Sequence, residues 1–310
     1  MKSNTDLNPK RAWVITGPTS GIGHRTALKL AERGTVVLVG RDPKKLAAVQ
    51  AEINGRPGGR AVTVIADMSD PVSARHAAEE IAALNLPIAG VLNNAGIMPL
   101  RAAKTSQGLD LAYATNHLGP FAFTDALIPH LADGTNIVFI TSAVEDPERK
   151  PAVTAGFRGG RFISVQASAR GEWKAEGSKK AGYDAYATSK QGNLATVLAF
   201  ARQTPRLRFR AIEPGLNPGT GLGRDAGPAL KVLAKLIAPL GAFVPNWSTP
   251  KRAAAVITRI LTDDSDATGT YYNENGKPMR ASKEVNDSAF SDRVVTETRE
   301  FLAKTASGAK

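Results

Sequence analysis

Short apolar runs bounded by turn residues alternate with longer segments of helical spacing along most of this chain, and that alternation leaves few folds open. Residues 12–16 are an apolar run that ends at Gly17, and 21–33 place Gly23, Ala27, Leu30 and Ala31 on one helical side. Residues 35–39 are mostly β-branched, the pattern of a strand buried on both faces. Residues 43–54 read as a helix with Asp42 as N-cap and Pro43 at its first position. Residues 61–66 read as strand, and Asp70 and Pro71 open the next helix in the same way. Further along, 88–92, 135–141 and 207–212 read as strands, 108–131 as mostly helix and 184–202 as helix. Repeated βα units of this kind predict an α/β fold: a doubly wound parallel sheet with right-handed crossovers and helices on both faces.

At 310 residues and 42% hydrophobic, the chain has enough apolar material for one large core, so a single domain over 1–310 is expected. Three segments interrupt the rhythm. Residues 143–185 are rich in Gly, Arg and Lys and weakly periodic, 215–247 begin Gly/Pro-dense and then offer a short apolar helix at 229–238, and 287–305 read as an amphipathic terminal helix. Long insertions in compact domains are usually functional or mobile.

Cysteine is absent, which excludes disulfides, thiolate metal sites and a cysteine nucleophile. The polar first ten residues are not a signal peptide, and no stretch reaches the ~20 apolar residues that span a bilayer. A cytoplasmic protein without a membrane partner is expected. The net charge of +12 raises the question of nucleic acid, and basic residues thicken at Arg202, Arg206, Arg208 and Arg210. They form no long run and no aromatic-interleaved groove, so no nucleic-acid partner is expected and an anionic small molecule accounts for part of the charge. With four dispersed histidines, no metal site is expected, and His117 reads as a packed residue.

The first strand runs into Thr16-Gly17-Pro18-Thr19-Ser20-Gly21-Ile22-Gly23 and then a helix. Glycines at 17, 21 and 23 allow a sharp turn and close approach of a pyrophosphate to the backbone, the helix N-terminus supplies free N–H groups, and Thr19 and Ser20 add hydroxyls. This context makes the fold Rossmann-type, and the turn lacks the Lys-Ser/Thr ending of a P-loop. After the second strand, where a carboxylate would grip ribose hydroxyls, the chain has Gly40-Arg41-Asp42, followed by Lys44 and Lys45. Arg41 suits a 2′-phosphate, so NADP(H) is the expected cofactor. A solvated Arg41 with Asp42 merely capping the helix is the plainer alternative. Asp67, next to Met68 after the third strand, is placed either to meet the adenine edge or to cap a helix.

Tyr186-Ala187-Thr188-Ser189-Lys190 stacks Tyr186 and Lys190 on one helix face. A nearby ammonium favours the phenolate, so Tyr186 can exchange a proton with a carbonyl or alcohol oxygen while a nicotinamide transfers hydride.

Residues 16–23, Asn93-Asn94-Ala95-Gly96, Asn116, Ser142, Tyr186 to Lys190, and Pro214-Gly215 together resemble, in order, the motifs of short-chain dehydrogenases. The resemblance spans nearly the whole chain. It implies that Asn94, Ala95 and Gly96 lie under the adenosine half of the cofactor. It further implies that Asn116 holds a water in a proton relay through Lys190, that Ser142 orients the substrate oxygen and that Lys190 grips the nicotinamide ribose. Pro214, Gly215 and Leu216 would line the nicotinamide, with Thr220 bonding its carboxamide or a phosphate. The extended interval between Ser142 and Tyr186 departs from most members; Ser164 and Ser168 fall within it, and Ser142 is preferred because it follows the apolar run 137–140. Phe157, Phe162, Trp173 and Tyr183 of that interval would wall a substrate pocket, form a lid, or pack as a surface flap or subunit contact.

This interval, residues 214–220 and Gly269-Thr270-Tyr271-Tyr272 resemble the branch containing retinol dehydrogenases and protochlorophyllide reductases, although the cysteine of the light-driven enzymes is missing. The expected activity is interconversion of a carbonyl and an alcohol on a bulky apolar small-molecule substrate. A catalytically silent NADP(H)-binding sensor is the alternative. Self-association is expected through the helices after Gly108 and Asp184, where Ala195, Ala199 and Ala201 suit either a subunit contact or an intramolecular core.

Overall fold

The computed structural model describes residues 11–217 and 247–307. The expected helix at 229–238 and Thr220 lie outside the described residues.

The chain proceeds through β1 (Ala12–Thr16), α1 (Gly21–Leu30), β2 (Thr35–Gly40), α2 (Pro43–Asn54), β3 (Arg60–Ile65), α3 (Pro71–Ala83) and β4 (Ile88–Asn93). After α4 (Leu111–Tyr113), a π-helical turn (Ala114–Leu118) leads into α5 (Gly119–Leu127), then β5 (Asn136–Ile140). The expected insertion holds two short helices, α6 (Lys150–Thr154) and α7 (Val165–Ala169). They are followed by α8 (Ala181–Gln203), β6 (Arg208–Ile212), α9 (Pro250–Leu261), β7 (Thr270–Tyr272) and β8 (Pro278–Met279). The chain closes with α10 (Lys283–Asn286) and α11 (Ser288–Ser307).

The strands form one eight-stranded sheet in the order β3-β2-β1-β4-β5-β6-β7-β8, parallel except for β8. Side chains alternate across it and fill two cores. Val14, Val37, Val39 and Val91 face α3, α5, α8 and α11, whereas Trp13, Ile15, Val36 and Leu38 face α1, α2 and α9. The caps read from sequence are in place: Asp42 accepts from Lys45 N and Asp70 from Val72 N, each with proline starting the helix. Because β1 has β2 on one side and β4 on the other, the chain reverses direction across the sheet after β3, and a crevice opens at the carboxyl ends of β1 and β4.

The C-terminal helix α11 lies along α8. Arg299 pairs with Asp125 at 2.9 Å and sits 5.2 Å from the Phe200 ring, and Arg202 pairs with Asp292 at 2.8 Å. His117 is fully buried and hydrogen-bonds Asn193 and Thr298. Burial holds its imidazole down at about 4, so it is neutral and packed. Ala195, Ala199 and Ala201 are buried within the single chain.

The basic cluster is also spent internally. Arg206 donates to the carbonyls of Leu131 and Ile128, and Arg208 pairs with Asp266 at 2.8 Å. Arg210 is fully buried, donating to the carbonyls of Ile260, Asp263, Ser265 and Ala267. Among the described residues, no helix is long and apolar enough to cross a membrane.

Candidate active site

The glycine-rich turn between β1 and α1 is braced from behind by β4. Thr16 Oγ1 accepts the backbone N–H groups of Asn94 and Ala95 at 3.0 Å each, and the Asn94 amide donates to the carbonyls of Thr16 (2.9 Å) and Gly17 (3.1 Å). Gly17 and Gly21 have φ of 67° and 57°, the left-handed region where a side chain is strained. At Gly23 the constraint is space: a Cβ there would lie 2.3 Å from the Gly17 oxygen and 2.5 Å from Asn94 Nδ2. Ile22 is buried in the core, and Thr19 is half-buried. Ser20 is the exposed N-cap of α1, and its hydroxyl makes no capping hydrogen bond.

Gly17 N–H donates to Val39 O at 2.9 Å, which brings the end of β2 against the turn. Arg41 follows there, exposed, and forms no ion pair among the described residues. Lys45 is tied to Asp42 at 3.2 Å. Asp67 uses one carboxylate oxygen on Ser69, accepting its N–H (2.9 Å) and hydroxyl (2.8 Å) in a local turn, while the cap of α3 is Asp70. Met68 buries its side chain in the core, with its carbonyl against Gly119.

Further along the carboxyl edge, Asn116, Ser142, Tyr186 and Lys190 converge. Asn116 sits in the π-helical turn, fully buried. Such turns interrupt the regular α hydrogen-bond register. Its carboxamide clamps the Ile97 backbone, accepting from N–H at 2.8 Å and donating to the carbonyl at 2.9 Å, and it donates to Ser189 Oγ at 3.0 Å. A Cβ on Gly96 would stand 3.2 Å from Asn116 Oδ1 and 3.7 Å from Lys190 Nζ, so Gly96 leaves open the space these groups share. Lys190 is buried; its ammonium donates to Ile140 O at 2.9 Å and lies 5.5 Å from the centre of the Tyr186 ring. Burial brings Lys190 down to about 8. Ser142 follows β5 as the N-cap of the short turn Ala143–Glu145, and its hydroxyl acts to lower the Tyr186 phenol. Ser164 instead caps α7 by accepting from Ala167 N, and Ser168 is buried in the core.

Sequence reasoning expected the ammonium to bring Tyr186 down toward neutrality. In the structure burial pushes the phenol up, Ser142 pulls it down and the Glu213 carboxylate pushes it up again, so Tyr186 stays protonated at neutral pH. Pro214 and Gly215 are half-buried and Leu216 exposed where β6 ends, with Asn217 Nδ2 donating to the carbonyls of Pro214 and Gly215.

The insertion divides between two duties. Phe157 stacks on Tyr183 at 4.2 Å and, with Ala152, Met98 and Val144, forms an apolar cluster around Tyr186. Phe162 packs edge-on against Phe290 of α11, and Trp173 against Tyr113. Phe162 and Trp173 thus pack into the body of the fold, whereas Phe157 and Tyr183 gather around Tyr186.

Sequence reasoning passed over the Glu213 and Glu145 carboxyls. Glu145 is fully buried and accepts Ser282 N–H at 2.9 Å and its hydroxyl at 2.6 Å. Glu213 follows β6 directly before Pro214-Gly215, and that position was the available signal.

A doubly wound sheet with a phosphate-type turn at its switch point and a Tyr–Lys–Ser–Asn cluster on the same edge defines an oxidoreductase class. The family model for short chain dehydrogenases matches residues 11–152. The chain is similar to the short-chain dehydrogenase/reductase pkfC of Emericella nidulans, 31% identical with 87% of this chain and 93% of that protein covered. It is also similar to a putative daunorubicin C-13 ketoreductase of a Streptomyces species, at 30% identity over 86% of this chain and 84% of that one. A short-chain dehydrogenase from Burkholderia cenocepacia, solved in complex with NADP, shares the fold with a TM-score of 0.62 at 23% identity, covering 86% of this chain and 97% of that chain. The chain belongs to the short-chain dehydrogenase/reductase family.

Proposed function

We propose that this protein is an NADP(H)-dependent oxidoreductase that interconverts a ketone or aldehyde with its alcohol, with Tyr186 as general acid and base. The carrying observation is the buried Lys190 ammonium set 5.5 Å from the centre of the buried Tyr186 ring. The fold neighbour solved with NADP and the relative named as a ketoreductase support the reading.

The residues present fit a dinucleotide. The turn from Gly17 to Gly23 carries no side chain that would keep a pyrophosphate from the backbone at its glycines, and the uncapped α1 N-terminus and Ser20 hydroxyl supply donors. Asn94, Ala95 and Gly96 form the floor, Pro214, Gly215 and Leu216 the far wall, and Arg41 stands ready for a 2′-phosphate. The bound nicotinamide supplies or accepts the hydride.

The rest is chain chemistry. Ser142 fixes the substrate oxygen beside the phenol. Tyr186, kept protonated by burial, donates its proton to that oxygen during reduction. Lys190 bonds Ile140 O with one N–H, leaving others for the ribose hydroxyls, and its charge stabilises the phenolate as it forms. Asn116 holds the backbone at Ile97 and helps hold a water in a proton relay through Lys190. Met98, Val144, Phe157 and Tyr183 beside Tyr186 select a bulky, mainly apolar substrate.

The test is parallel NADPH and NADH oxidation over carbonyl compounds ranging from small aryl ketones to steroids and retinal, with Tyr186→Phe as control. NADPH turnover well above NADH, lost by about 100-fold or more in Tyr186→Phe, is expected. NADH preference would refute the role of Arg41. Unchanged function of Tyr186→Phe with intact NADPH binding would refute the enzyme in favour of a cofactor sensor.

A further inference from the structure

The apolar wall beside Tyr186 leads outward to a lysine. The Phe157 ring centre lies 6.4 Å from that of Tyr186, and Phe157 stacks on Tyr183 at 4.2 Å with the rings 8° from parallel. The Lys180 ammonium sits 4.7 Å from the centre of the Tyr183 ring and donates to its hydroxyl at 3.2 Å. Exposure rises along the same line: Tyr186 and Phe157 are buried, Tyr183 is half-buried and Lys180 is exposed. The row thus runs from the reacting phenol to the surface, aromatic along its length and cationic at its end.

The surrounding chain holds this end in place. The Ser178 hydroxyl donates to Gly156 O at 2.8 Å, beside Phe157, and accepts the Lys180 N–H at 3.2 Å. At Gly182 a Cβ would meet Pro99 O, so the first turn of α8 abuts the segment that carries Leu100. Leu100, like Val153 of α6, is an exposed apolar residue. Lys180 has no carboxylate partner among the described residues, and neither has the adjacent Lys179. Asp184 does not supply one: it is buried and turns both oxygens on the Ser178 N–H, at 2.9 and 3.0 Å. Exposed Glu176 forms no ion pair among the described residues. An ammonium has donors to spare after Tyr183 takes one. The phosphate proposed for Arg41 is no rival for this cation, because Arg41 follows β2, which β1 and β4 separate from β5, and α8 runs over β5 and β6.

We infer that the substrate is an amphipathic oxo acid, with its carbonyl at Tyr186, its apolar body along Phe157 and Tyr183, and its carboxylate on Lys180. This rests on the function proposed above and names the substrate class of the same site. In reduction the carbonyl carbon gains the hydride that NADPH gives up, the carbonyl oxygen gains the Tyr186 proton, and the carboxylate is unchanged. No ion pair has to be broken before Lys180 takes an anion, and an ammonium–carboxylate bond is among the stronger hydrogen bonds. A neutral compound of the same length lacks that bond. Lys180 therefore discriminates by charge where Phe157 and Tyr183 discriminate by shape.

The probes are medium-chain fatty acids that carry a methyl ketone at the far end, and the methyl esters of the same acids, assayed on the full chain with NADPH. In the wild type the KM for the acid should lie about threefold to fivefold below that for the ester, the range of an exposed ion pair. Lys180→Gln should erase the difference by raising the KM of the acid alone, and Lys180→Glu should reverse it. Added salt should shrink the wild-type advantage. A second measurement needs no turnover: calorimetry of the plain fatty acid, which has no ketone to reduce, and of its methyl ester, on the NADPH-loaded protein. Affinity lost in Lys180→Gln for the acid and kept for the ester supports the anion site even where no ketone is reduced, in which case it is the oxidoreductase reading that fails. Equal KM and equal affinity for acid and ester in the wild type, or a Lys180→Gln loss that falls on both alike, would overturn the inference, since a merely structural lysine cannot tell an acid from its ester.

Discussion

Replacing Glu145 with glutamine should remove a pH dependence from the stability of the fold. The carboxyl is fully shielded from solvent, and burial raises it from an ordinary 4.5 to about 7 despite two hydrogen bonds from Ser282. The folded protein therefore holds this proton more tightly than the unfolded chain does. Between pH 4.5 and about 7 the folded state carries the extra proton, so stability falls as pH rises through that window and the loss is complete above it. The difference between about 7 and 4.5, at about 1.4 kcal/mol per pH unit, amounts to about 3 kcal/mol. Glutamine has the same shape; its carbonyl can accept from Ser282 N–H and its amide can donate to the Ser282 hydroxyl. Urea unfolding of both proteins from pH 4.5 to 8 is the assay, read as the difference between them so that other titrating groups cancel. Glu145→Gln should gain on the wild type by about 3 kcal/mol across the window, with the change centred between 4.5 and 7. Two stability curves that run parallel over the whole range would refute the buried-proton argument.

Gly23→Ala should destabilise the protein by about 1–3 kcal/mol and weaken NADPH binding, because the new Cβ falls 2.3 Å from the Gly17 oxygen; thermal melts and fluorescence titration with NADPH check it. Arg41→Glu should raise the KM for NADPH about tenfold or more and narrow the preference over NADH, read from initial rates. The Lys190 ammonium, brought down to about 8, loses its proton as pH rises through that value, so calorimetry should show NADPH affinity falling between pH 7 and 9. Arg210→Met should cost about 3 kcal/mol or more in urea unfolding, since the carbonyls of Ser265 and Ala267 lose their guanidinium donor and those of Ile260 and Asp263 lose one of theirs.

Much of this was legible because local chemistry and global fold agree. Asp42-Pro43 and Asp70-Pro71 start helices wherever they occur, and the β-branched run at 35–39 has nowhere to go but a sheet interior. The turn at 16–23 and the Tyr186/Lys190 pair announce themselves through residue types that ordinary packing does not require. Other features depend on partners far away in sequence. The helix expected over 108–131 starts at Leu111 and widens into a π turn at Asn116, because that side chain is drawn to Ile97. The helix Pro250–Leu261 and the short strands Thr270–Tyr272 and Pro278–Met279 went unread, being set by packing on a sheet already formed. The Arg cluster at 202–210 raised the question of a nucleic-acid partner, but each guanidinium answers a carbonyl or carboxylate that only the folded chain supplies. Tyr186 shows the limit most clearly: spacing revealed the lysine, and only the fold revealed the opposing carboxylate of Glu213.

The seating of α11 against α8 bears on how the molecule is born. The ring of His117 finds one of its hydrogen-bond partners in Thr298, and Phe200 is roofed by Arg299. Both roof residues follow every described strand in chain order, so they emerge from the ribosome after the strands have. Until α11 has emerged, the helix that carries Tyr186 presents a bare apolar flank to the cell, during the interval when a nascent chain is most exposed to aggregation and to chaperones. The helix α11 thus acts as a closing step in biogenesis, and a stop codon placed shortly before Ser288 would yield a protein that keeps Asn116, Ser142, Tyr186 and Lys190 and has no means of finishing its core.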